Sequence, residues 1–139
     1  MADIALTAAK IGLVDPMKAE VYTFLAAEAI TKGQVVYMTT SGTVGVADAN
    51  VANKQQARGI ALNAAGAGQA VDVCVKGMLY GFTLSDQSYD DPLYLSDTAG
   101  AMADAAGTLT VPVGLVYPLS DKDKTKVFMA HFRMREDYS

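Results

Sequence analysis

A chain of 139 residues is sized for one domain with a core of its own, and its single cysteine excludes an internal disulfide framework. A net charge of −4 argues against a nucleic-acid partner, which calls for a basic face. With 51% hydrophobic and only 19% charged residues, the surface is lightly charged, which predicts a protein covered by others, as in an oligomer.

The N-terminus lacks the basic start and continuous apolar stretch of a secretion signal, and no run reaches the length of a membrane span. Synthesis and use in a cytosol, with no membrane partner, is the expectation. Residues 1–17 form an apolar arm carrying Ile4, Leu6, Ile11, Leu13 and Val14 without helical or strand period. Gly12 and Pro16 leave a helical turn near Thr7 no room to grow. Such an arm either packs on its own domain or reaches a neighbouring surface. Residues 18–139 are expected to be the β domain proper.

Residues 18–26 alternate as a strand, residues 34–39 as another, and residues 40–43 form a hairpin loop returning through 44–46. Asp48 can cap one or two helical turns within residues 47–56, the one short helix expected in the core. The organising stretch is 57–82. Gly66 and Gly68 supply a structural turn at which φ > 0 is expected. Val71, Val73 and Val75 point to one face, and Asp72, Cys74 and Lys76 to the other. Gly77 and Gly81 bracket a bulge or bend. A polar loop with Asp86, Asp90 and Asp91 follows. Strands at 93–95, 111–117 and 126–132 and a polar tail at 133–139 complete the chain, Pro112 marking a place near an edge.

The strand grammar occurs twice, beginning at Gly33 and again at Asp91. Tyr37 answers Tyr94, Gly42 answers Gly100, Gly59 answers Gly114 and Val73 answers Val127. Two tandem copies predict a small pseudo-symmetric β-barrel; the competing explanation is the general similarity of β-meanders.

Nothing in the sequence unites nucleophile, base and orienter, so no enzyme, no cofactor and no metal is expected. Gly66-x-Gly68 lacks the third glycine and the strand-to-helix setting of a phosphate loop. His131, the sole histidine, reads as a half-buried strand residue rather than a triad or zinc ligand. Cys74, among valines, reads as a small buried or semi-buried side chain rather than a reactive thiol. The three loop aspartates do not have the spacing of a calcium loop. Aromatic residues recur one or two per strand, as core or interface residues do.

The segments Gly33–Gln34–Val35–Val36–Tyr37, Arg58–Gly59–Ile60–Ala61–Leu62 and Ala67–Gly68–Gln69–Ala70–Val71, within a match from about Ile30 to Phe132, resemble the capsid decoration (cement) proteins of tailed bacteriophages, and more distantly the lambda-type head decoration protein. The resemblance implies an all-β, β-tulip-like barrel, a homotrimer, and a place on the outer surface of the virion capsid after synthesis in the host bacterial cytoplasm. It implies the major capsid protein as partner, reached by the N-terminal arm through Ile4, Leu6, Ile11, Leu13 and Val14. Residues 1–29 are longer and more apolar than the family's usual start. The alternative function is a β-sandwich binding module of a phage fibre or tail, against which the absence of Trp counts.

Overall fold

A computed structural model describes residues 2–133, 137 and 138. Its strands are β1 (Gly12–Leu13), β2 (Glu20–Leu25), β3 (Val35–Met38), β4 (Val44–Val46), β5 (Ala57–Ala61), β6 (Ala70–Tyr80), β7 (Pro92–Leu95), β8 (Met102–Ala103), β9 (Pro112–Pro118) and β10 (Lys126–His131). They form one antiparallel sheet in the order β4-β3-β5-β6-β10-β9-β7-β8, with β1 and β2 also paired to β6. The sheet curls into a half-barrel. Backbone bonds tie its two ends together: Val35 N–H donates to Gly100 O at 2.9 Å, Gly100 N–H to Ala47 O at 2.7 Å, and Ala49 N–H to Ser96 O at 3.1 Å.

The 11-residue β6 is the axis of this arrangement because both of its faces are covered. Val71 and Val73 belong to a small cluster with Ile30, Val36 and Val44. Cys74, Val75 and Leu79 belong to the main core with Ile60, Leu95, Phe128 and Phe132. The expected alternation therefore holds for Asp72 and Lys76, which are exposed, and fails for Cys74, which lies at 0% exposure. A strand covered on both faces reads as a nearly continuous apolar run. Gly77 does not end the strand; β6 continues to Tyr80 while the register of β2 on β6 shifts between Glu20 and Val21.

Residues 47–56 form turns instead of the expected helix. The Asp48 side chain accepts from Asn50 N–H at 2.8 Å, and Asp48 N–H donates to Lys54 O at 3.0 Å, so the cap closes a turn. Asn53, at φ +76°, then prevents a helix from propagating. Among the described residues the helical segments are two 3-10 turns, Ala8–Lys10 and Pro16–Lys18, both in the N-terminal segment. The polar tail also departs from expectation at Tyr138, which is 2% exposed, joins the main core and exchanges backbone–side-chain hydrogen bonds with Gln56.

The turn at residues 66–69 is held by Gly66 N–H donating to Gln69 Oε1 at 2.7 Å and by Gly68 N–H donating to Ala26 O at 2.8 Å. Positive φ falls on Gly68 (+83°) and not on Gly66. There is open space where a Gly68 Cβ would stand, so backbone strain alone sets the cost of a side chain. Gly68→Val is expected to lose about 1–3 kcal/mol, and Gly68→Asn much less, because Asn tolerates this region. Thermal denaturation of the two variants checks this; equal midpoints for Val and Gly at position 68 would contradict it.

Candidate functional site

The N-terminal segment is the part of the chain singled out for binding, and its path is now defined. Ala2 O accepts from Asp104 N–H at 3.1 Å, and Ile4 N–H donates to Met102 O at 2.8 Å, so residues 2–4 lie along β8. Ala5 O accepts from Thr83 N–H and Thr7 N–H donates to Gly81 O, both at 2.8 Å. Gly12 and Leu13 then pair with Tyr80 and Leu79, and Val14 N–H donates to Met78 O at 2.9 Å. The segment is thus laid as an extra strand on β8 and on the end of β6.

Its five aliphatic residues divide into two kinds. Ile4 and Ile11 are 7% and 3% exposed, and Ile4 is part of the main core. Ile11 lies over Gly81 so closely that a Cβ there would stand 2.8 Å from the Ile11 Cα. These two residues are therefore occupied within their own chain, so along this stretch the segment packs on its own domain. The physical reason is that two glycines, Gly33 and Gly81, open a groove that receives Leu6 and Ile11. Leu6, Leu13 and Val14 remain half-buried. Beside them Met17 is 95% exposed.

The other candidate residues are dispersed. His131 is exposed on the outer face of β10, opposite Lys76, at a groove of about 310 Å³ that Leu115, Tyr117 and Met129 also line. Asp91 accepts from Ser88 N–H at 2.8 Å and closes its own loop. Among the described residues no three His, Cys, Asp or Glu side chains gather as metal ligands. No helix of the described residues is long and apolar enough to cross a membrane.

Burial pushes the Cys74 thiol up to about 11, so its thiolate is scarce at neutral pH. We expect Cys74 to be unreactive toward a thiol reagent at pH 8 in the folded protein and fully reactive in denaturant. Rapid stoichiometric labelling of the native protein would contradict that.

Sequence reasoning missed a second apolar surface. Val21, Tyr22 and Leu25 of β2 are 37%, 43% and 54% exposed. Their alternation is that of any half-buried strand; nothing in the sequence signals that β2, among the described residues, has a neighbouring strand on one side only.

Comparison of the chain with family models, curated proteins and solved structures finds no match.

Proposed function

We propose that this protein is a non-enzymatic decoration (cement) protein of a tailed-phage head, a homotrimer that binds the major capsid protein on the outside of the shell and stabilises it. The reading rests on the sequence resemblance, and the observation that carries it furthest is the N-terminal segment. Backbone hydrogen bonds and the buried Ile4 and Ile11 hold this segment on the body, and it presents the partly buried Leu6, Leu13 and Val14 beside exposed Met17. A prearranged apolar strip spends little conformational freedom on binding. Each large side chain buried on a partner contributes roughly 1.5–3 kcal/mol before ordering costs.

The finer architecture we propose is a duplicated, tulip-like unit. In its support, β3 pairs with β4 and β5 as β7 pairs with β8 and β9. Both β3–β5 and β7–β9 carry a register shift at the tyrosine, Val36 facing Gly59 and Tyr37 facing Ala57, Leu93 facing Gly114 and Tyr94 facing Pro112. In this register Val73 corresponds to Phe128 and not to Val127.

Val14→Glu combined with Met17→Glu tests the docking strip without touching Ile4 or Ile11. The thermal midpoint should stay near that of the parent, while occupancy on heads lacking the protein should fall by about tenfold or more, since 1.4 kcal/mol is a factor of ten. Unchanged occupancy would place the capsid contact elsewhere on the molecule.

A further inference from the structure

The margins of the sheet are covered unequally. Along β4, Ala26 bridges Val44, Ala27 N–H donates to Val44 O at 2.7 Å, and Glu28 accepts from Val46 N–H at 3.1 Å. β8 is covered by residues 2–4, and β1 is only two residues long. β2, six residues long, pairs with β6 and with no other strand among the described residues. Its apolar Val21, Tyr22 and Leu25 are exposed as well. Natural proteins seldom leave so long an apolar edge unpaired.

We propose that the outer edge of β2 pairs with β2 of a second copy of this chain, antiparallel and about a two-fold axis. β2 being the one long edge left open, strand pairing between copies has no second edge to use and must be self-complementary. A two-fold axis normal to the sheet keeps each face on its own side, and residues opposite one another share a face. Opposite residue numbers therefore sum to an even value, and one residue, Tyr22, Thr23 or Phe24, lies on the axis.

Backbone direction selects among these. Ala26 N–H donates to Gln69 O and Ala26 O accepts from Gly68 N–H, so Ala26 faces the β6 side, whereas Ala27 N–H turns outward to Val44. By alternation Val21, Thr23 and Leu25 direct their N–H and C=O groups to the open edge. With Thr23 on the axis, Thr23 bonds its own copy and each Val21 bonds a Leu25, which uses all the outward groups. With Phe24 on the axis Val21 would need Ala27 N–H, which is already bonded to Val44 O. With Tyr22 on the axis Glu20 would face Phe24.

The pairing stands on the edge geometry and not on the capsid reading. It links copies in twos, and a three-fold contact, where present, multiplies the number. Native mass measurement of the wild-type protein across the micromolar range should show even-numbered assemblies. Thr23→Pro removes one outward N–H and no backbone bond to β6, though it also gives up the hydrogen bond that the Thr23 hydroxyl donates to Asp72 Oδ1 at 2.6 Å. Val21→Lys with Leu25→Lys leaves the backbone intact and places like charges across the junction, so it gives the answer even where Thr23→Pro weakens the fold. Each should halve the assembly and raise its dissociation constant at least tenfold. Wild-type protein that stays odd-numbered, as it would if the edge receives a strand of another protein, or a double-lysine variant with wild-type mass, overturns the proposal.

Discussion

Gly114→Val should lower stability by about 3 kcal/mol or more, a large share of the roughly 5–15 kcal/mol that holds a domain folded. A Cβ at Gly114 would stand 2.2 Å from the Met129 carbonyl oxygen and 2.6 Å from the Phe128 ring. The first neighbour is backbone in the adjacent strand, so relief requires β9 and β10 to separate. Gly59→Val meets the same obstacle, with 2.2 Å to Val73 Cγ1 and 2.7 Å to the Cys74 carbonyl oxygen. Neither glycine has positive φ, so the cost is steric and even Ala should be harmful at both. Gly12, with nothing within 4 Å of its Cβ position, is the control, and Gly12→Ala should be near neutral. Chemical denaturation of the three variants measures this, and a Gly114→Val protein as stable as Gly12→Ala would contradict the close packing of β9 on β10.

Ile4→Ala and Ile11→Ala should each cost about 2–5 kcal/mol, the usual range for emptying a buried aliphatic site. Both residues are nearly inaccessible, and Ile4 contributes to the main core. Deleting residues 2–14 should do more, since it also exposes the edges of β8 and β6. A free-hanging arm would behave differently, with an unchanged melting temperature after deletion. The fall in thermal midpoint, about 10 °C for a 3 kcal/mol loss in a domain of this size, separates the two. The same deletion cannot be used alone to locate a partner contact, which is why Val14 and Met17 are the residues to change for that purpose.

The strands were the legible part of the sequence. Period-two alternation and glycine turns locate β9, β10 and the first part of β6 within a residue or two, because a half-buried pleated strand imposes that pattern directly. The match of Gly59 with Gly114 was visible for a related reason: each position tolerates no side chain against the next strand. Three things were not legible. The turns at residues 47–56 mimic a capped helix, since Asp48 serves a cap and a turn equally well. The destination of the N-terminal segment depends on a groove made by Gly33 and Gly81, far away in sequence, and an aperiodic apolar run says nothing of where it will lie. The open edge of β2 is invisible because alternation reports which faces are buried and not which strands lie alongside. On the resemblance to decoration proteins, the all-β architecture agrees with what it implies, and the capsid role remains a proposal carried by sequence.

Electron microscopy of phage particles formed in the native host, with this chain identified by a small C-terminal label, tests the central claim most directly. The account predicts labelled density on the outer face of the head, at its local three-fold axes. Label confined to tail or fibre, or particles without the chain, would contradict it.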